Sequence, residues 1–340
     1  MRSFLALLLG FLTVSGMGQE SKLIGQQAIH ITINTQQDTI DFMIVDTALT
    51  QKKPIFLFCQ GSLPLPLFVE LEQQGIYMFG GGINNFDYQA LVRQYHLVVI
   101  SMPHTPMIVP QAFLNPQYQY VPDPTKPRQF SQAYLEADYL DNYVRRAKIV
   151  LDYLSKQIYV ESSRLVVAGH SQGAKVATKI AGSYPAVSHL GLFAPNPIGR
   201  IDQFIRQARL DAQLGKISWE EADSMMNEQI SFFQTAHHSD SVKKHPYLKA
   251  WKTFSEPFYD DWLELTIPLY IAYGTEDRTA DLCDLVPLFF IQEGKDNLTL
   301  KRYLGLEHNF FEKSRDGRVN YEQAHWPEVM TSFVAWIGSP

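Results

Sequence analysis

Cysteine is scarce in this chain: Cys59 and Cys283 are the two present among 340 residues. That excludes a disulfide framework and leaves two buried thiols or a single bridge. Positive charge is also in short supply. Lys and Arg number 29 against 35 Asp and Glu, for a formal net charge of -6, which excludes a generally basic nucleic-acid binder. Repeats and low-complexity tracts are missing, and so is any apolar run after the N-terminus long enough to span a bilayer. What is present is ordinary globular composition, 46% hydrophobic and 19% charged, which argues against a disordered or fibrous chain. The length allows one large domain or two modest ones and can bury a core without disulfide or metal staples.

The single long apolar run is N-terminal. Met1-Arg2-Ser3 gives a short positive start, residues 4–14 are nearly all apolar, and Ser15-Gly16-Met17-Gly18 places small residues before Gln19. This is the layout of a secretory signal peptide, with an apolar core too short for a stable anchor. Residues 1–18 are therefore read as a signal cleaved after Gly18, and the mature chain as secreted or periplasmic. No cysteine follows the cleavage site to suggest lipidation.

Residues 27–38 and 40–47 predict two strands joined by a polar turn: Ile29, Ile31 and Ile33 alternate with polar residues, as do Ile40, Phe42 and Ile44. Then come short apolar runs without alternation, at residues 54–59 (PIFLFC), 96–101 (HLVVIS), 164–168 (RLVVA), 189–193 (HLGLF) and 267–273 (IPLYIAY). Parallel strands buried on both faces read this way. Helical patterns separate them, the clearest over 135–154, where Leu135, Tyr139, Tyr143, Ala147, Val150 and Leu154 recur at helical spacing. The alternation predicts a doubly wound, mostly parallel α/β sheet. Residues 198–265 interrupt it with helical, aromatic and charged sequence, including helices over 201–214 and 219–235, the second with a Ser218/Glu221 capping box. A stretch this long is read as an inserted helical cap over the core, which comprises residues 19–197 and 266–340.

Gly169-His170-Ser171-Gln172-Gly173 follows the run 164–168 directly and precedes a helix-compatible stretch, 174–181. A serine on so sharp a strand-to-helix turn needs small neighbours two positions away, and the turn lifts its hydroxyl toward the helix N-terminus. A hydroxyl nucleophile also needs a base and an orienting acid. Asp277 stands on the turn after the run 267–273, and His308 lies just past residues 298–303, the last expected strand. The order Ser171, Asp277, His308 is the one this turn predicts.

In these residues the chain resembles the α/β-hydrolase fold family, over essentially all of the mature sequence, with the cap in the family's usual place after the sixth strand. The resemblance implies Ser171 as nucleophile, His308 as general base and Asp277 as orienting acid. It also implies an oxyanion hole from the backbone N–H of Gln172 and a second N–H from the loop Gln60-Gly61-Ser62-Leu63-Pro64, with Ser62 the candidate. The family's frequent His-Gly motif is replaced here by Gln60-Gly61, which leaves the second donor's identity open. The chemistry requires neither a cofactor nor a metal.

Other residues compete for these roles. Glu276, Asp281 and Asp284 are alternative acids with a poorer register, and Asn196, after the run 189–193, is no carboxylate. His325 precedes Trp326-Pro327 and reads as the start of a helix. His237-His238 beside Asp240 lacks a third ligand at a recognisable spacing and reads as solvated cap surface. Gly80-Gly81-Gly82 lacks the Lys-Ser/Thr of a phosphate loop and reads as a flexible loop near the active-site mouth. Asn297-Leu298-Thr299 matches a glycosylation acceptor.

These features point to hydrolysis of a small-molecule ester through an acyl-enzyme. Amide or peptide hydrolysis by the same groups is the second reading, and a hydrolase-fold binding protein without catalysis the third. Coenzyme A thioesters are disfavoured by export, and Ser171 argues against reactions that need an aspartate nucleophile. Among the cap aromatics Phe232, Phe233, Trp251, Phe254 and Trp262, most are expected to pack the cap and the rest to line an apolar substrate pocket.

Overall fold

The computed structural model describes residues 19–24, 27–46, 49–314 and 317–338. The expected signal peptide, residues 1–18, lies outside them. The framework is a nine-stranded sheet made of Gln19–Ile24 (β1), Ala28–Asn34 (β2), Thr39–Ile44 (β3), Lys53–Cys59 (β4), His96–Ile100 (β5), Val160–His170 (β6), His189–Phe193 (β7), Leu269–Gly274 (β8) and Leu298–Tyr303 (β9). Their spatial order is β1-β2-β3-β5-β4-β6-β7-β8-β9. β1 to β3 are antiparallel, β3 meets β5 antiparallel, and every pair from β5 onward is parallel. The mostly parallel α/β architecture expected from the apolar runs is thus present, with β1 added at the edge ahead of the expected hairpin.

The runs that did not alternate are buried on both faces, as parallel strands require. One face carries Leu57, Val167, Leu192 and Ile271 against the helices Leu140–Leu154 (α1) and Gln172–Ser183 (α2). The other carries Phe56, Val166, Phe193 and Ala272 against Phe333 of the C-terminal helix Trp326–Ile337. Register sets Cys59 beside Gly169, Phe193 beside His170 and Gly274 beside Tyr303. The carboxyl ends of β4, β6, β7, β8 and β9 therefore open along one edge, where ligands of such sheets bind.

Two features differ from the sequence reading. The single helix expected over 135–154 is two, Gln132–Ala137 and α1, broken at Asp138-Tyr139. Side chains satisfy the break: Asn142 Nδ2 donates to the Ala137 carbonyl, Thr253 Oγ1 accepts from the Leu140 N–H, and the Tyr143 hydroxyl donates to Asp138 at 2.8 Å. Gly80–Asn85 is a tight turn packed beneath Gln60, where a Cβ on Gly81 would sit 2.8 Å from the Gln60 side chain. Asn297 is engaged, its amide donating to the Leu265 and Ile267 carbonyls.

Both cysteines are free and buried. Residues 198–265 form five helices, Asp202–Gln213, Trp219–His237, Ser239–Lys244, Leu248–Thr253 and Tyr259–Glu264, and Ser218 and Glu221 form a reciprocal capping box. No helix among the described residues is long and apolar enough to cross a membrane.

Candidate active site

Ser171 is the hinge between β6 and α2. Its backbone has φ 56° and ψ −120°, a conformation costly for a residue with a side chain and kept only where the surroundings enforce it. The surroundings here are backbone. A Cβ on Gly169 would lie 2.2 Å from the Gly173 carbonyl oxygen, and one on Gly173 would lie 2.0 Å from that of Cys59. The spacing of the two glycines is therefore a packing requirement: strand, turn and the end of β4 touch main chain to main chain.

Ser171 projects its hydroxyl to His308 Nε2 at 2.9 Å, and His308 Nδ1–H donates to Asp277 Oδ2 at 2.8 Å. The other Asp277 oxygen accepts from the Thr279 hydroxyl at 2.7 Å and the Thr279 N–H at 2.8 Å. Burial alone would raise the Asp277 carboxyl, but the hydrogen bond and charge of His308, with Thr279, outweigh it and hold the group below the ordinary range. Burial likewise disfavours the charged form of His308, yet Asp277 and Glu307 raise its pKa above the usual imidazole value. The turn with Asp277 and the loop with His308 are pressed together at Gly274, where a Cβ would sit 2.0 Å from the Leu306 carbonyl oxygen.

His170, in the middle of the glycine motif, has a part that sequence reasoning missed. Its Nε2–H donates to the His308 carbonyl oxygen at 2.9 Å, and the two rings lie 5.0 Å apart. Burial and the neighbouring His308 push its pKa down to about 3, so the ring stays neutral.

The competing residues are otherwise engaged. Asp281 pairs with Arg206, and Asp284 accepts from the Tyr273 hydroxyl and from Arg302. Glu276 is exposed. His325 starts the C-terminal helix and lies between Glu312 and Glu328. His237 donates to the Phe233 carbonyl, and Asp240 pairs with Lys243 on the surface. Asn196 Oδ1 accepts from the Ile198 and Gly199 N–H groups.

A cavity of about 410 Å³ opens over Ser171 and His308, lined on the core side by Ser62, Leu63 and Gln172. Gly61 brings its loop against the serine turn, about 4.0 Å from Ser171 Cβ if it carried a Cβ itself. Gln60 fixes that loop from below by donating to the Ile100 carbonyl at 2.7 Å. Gln172 is the first residue of α2, so its N–H has no acceptor within the helix. Gly80, Gly81 and Gly82 do not line the cavity.

Across the cavity stand Phe204, Trp251 and Phe254, with Arg200, Lys175 and Asp138 among them. Of the five aromatics singled out in the sequence, Trp251 and Phe254 face the cavity. Phe232 packs on Trp251 at 5.2 Å, Phe233 packs on His237, and the Trp262 indole donates to Thr178. The wall is thus less apolar than expected. Sequence periodicity could not find these ionic groups, because Asp138 reaches the cavity through a helix break and Arg200 precedes its helix.

No family model matches the sequence, and no curated protein matches it. Among solved structures the chain is similar to an acetyl xylan esterase from Paenibacillus sp. R4, with 12% identity and a TM-score of 0.51 over 94% of this chain and 89% of that one. It is also similar to acetyl xylan esterase 1 from Thermoanaerobacterium sp. JW/SL YS485, with 12% identity and a TM-score of 0.50 over 95% and 88%. The acylaminoacyl peptidase of Pyrococcus horikoshii matches at 11% identity and a TM-score of 0.51 over 94% of this chain. The chain spans 41% of that peptidase's length. At such identities the likeness is one of fold, and the fold is that of the α/β-hydrolases.

Proposed function

We propose that the protein is a serine hydrolase that cleaves a carboxylic ester through an acyl-enzyme. The observation that carries this reading is the unbroken hydrogen-bond chain Ser171–His308–Asp277, which ends on a strained serine facing a cavity. Ser171 Oγ attacks the ester carbonyl while His308 Nε2 takes its proton. His308 returns that proton to the departing alcohol, and water, activated by the same nitrogen, then releases the carboxylic acid. Asp277 keeps Nδ1 protonated and steadies the imidazolium. The N–H groups of Gln172 and Ser62 are the proposed donors to the tetrahedral oxyanion, each such bond worth about 3–4 kcal/mol in the transition state.

Labelling with a fluorophosphonate tests the nucleophile. Wild-type protein should be labelled on Ser171 and Ser171→Ala should not, with turnover of p-nitrophenyl esters lost by roughly 10⁴-fold or more. Undiminished labelling of the alanine variant would remove Ser171 from the role. Matched anilides beside the esters separate amide from ester preference. The N-terminal layout further supports export, and a mature N-terminus at Gln19 recovered from the periplasm or medium is the expected result.

A further inference from the structure

The buried Arg146 and the partly buried Arg200 are satisfied differently. Arg146, beneath the sheet edge, is paired with Asp38 at 2.6 Å and donates to the Ser101 carbonyl at 3.0 Å. Arg200, in the cavity wall, forms no ion pair among the described residues. Its one hydrogen-bond partner among them is the side-chain oxygen of Gln172, the residue whose N–H is a proposed oxyanion donor. A guanidinium carries five N–H donors. The Arg200 guanidinium instead lies 5.1 Å from the Trp251 ring centre and 5.3 Å from that of Phe254, two rings that hold it in the cavity wall.

The nearby charges have other commitments. Asp138 influences Arg200 from beyond ion-pairing distance, and its oxygen accepts from Tyr143. Lys175 donates to the Phe254 carbonyl at 2.9 Å and lies 4.2 Å over Phe258. A desolvated cation with free, planar donors calls for a planar anion, which a carboxylate matches with two parallel hydrogen bonds.

We propose that the cavity selects substrates bearing a carboxylate near the scissile ester, and that Arg200 is the residue that binds it. This rests on the hydrolase reading above. The carboxylate could enter on the acyl or the alcohol side, and paired substrates distinguish the two. Mono-p-nitrophenyl glutarate is compared with its branched-alkyl isostere for the acyl side, and carboxyphenyl butyrate with isopropylphenyl butyrate for the alcohol side. The readout is the ratio of kcat/KM, anionic over neutral, taken within each variant so that loss of folded protein cancels.

In one of the two series that ratio should fall about tenfold or more in Arg200→Gln, less in Arg200→Lys, and rise in Asp138→Asn. Ratios that stay the same in wild type and Arg200→Gln in both series would overturn the proposal while leaving ester hydrolysis intact. Calorimetry with glutarate reads the anion site without turnover. Binding should weaken about tenfold or more in Arg200→Gln, and equal affinity, or no binding to wild type, overturns the proposal even if the protein proves not to be a hydrolase.

Discussion

The two walls of the cavity are built by different means. On the core side, the positions of Ser171, Asp277 and His308 are set by strand ends and by carbonyls pressed against Gly173 and Gly274. On the opposite wall, Arg200, Trp251 and Asp138 are placed by side chains: rings under a guanidinium, a tyrosine hydroxyl on a carboxylate, a helix interrupted at Tyr139. Backbone contacts tolerate no substitution at their closest points, whereas side-chain contacts can be re-formed. On the proposed function, the reacting groups belong to the rigid wall and the choice of substrate to the adaptable one.

Substitutions on the core side should damage turnover for every ester alike. His308→Ala should cost roughly 10⁵-fold in kcat with the fold retained, because base and nucleophile act as a unit. His325→Ala, measured beside it, should stay near wild type, and the reverse order would relocate the base. Asp277→Asn should cost roughly 10⁴-fold by favouring the wrong imidazole tautomer. Asp281→Asn and Asp284→Asn are its controls.

Acidity sharpens the same contrast. The base must be neutral to act, and Asp277 raises the pKa of His308. The acid limb of the kcat/KM profile should therefore bend above the ordinary imidazole value of about 6.5. Any activity left in Asp277→Asn should bend at lower pH, since the carboxylate that favours the imidazolium is gone. An unshifted limb would mean that another group sets the profile.

A smaller effect is expected at His170. Replacing it with Phe keeps the ring among Phe310 and Trp326 but removes the donor to the His308 carbonyl. Here kcat should fall about tenfold with KM little changed, as expected when positioning alone is impaired, and His170→Gln should recover part of the loss. Trp251→Ala, on the cap wall, should raise KM for bulky and anionic esters more than for acetyl esters. A uniform loss that tracks thermal stability would make Trp251 structural.

The same division explains what could be read in advance. The central strands announced themselves as unbroken apolar runs, and Ser171 and Asp277 each sit within a few residues of one, while His308 was located by its place just past residues 298–303, the last expected strand. Strand β1 carries Lys22 between Ser21 and Leu23 and gave no such run. The break at Asp138 was hidden because Leu135, Tyr139 and Tyr143 keep helical spacing across it, and what permits the break, Thr253, is 113 residues away from the N–H it accepts. Arg200 carries no local signature either. Its meaning comes from Trp251, Phe254 and Gln172, all distant in the chain.

Gly274 has a bearing on how such a protein can be changed. It does not line the cavity over Ser171, yet the Leu306 carbonyl occupies the space where any side chain would begin. In a mutational scan this position, like Gly173, should read as inviolable with no chemistry to explain it. Alanine there should separate Asp277 from His308 and abolish the proposed hydrolysis without touching a reacting atom. If the proposed ester hydrolysis holds, laboratory evolution toward new substrates has its freedom in residues 198–265 and meets its fixed points at two hydrogen atoms on Cα.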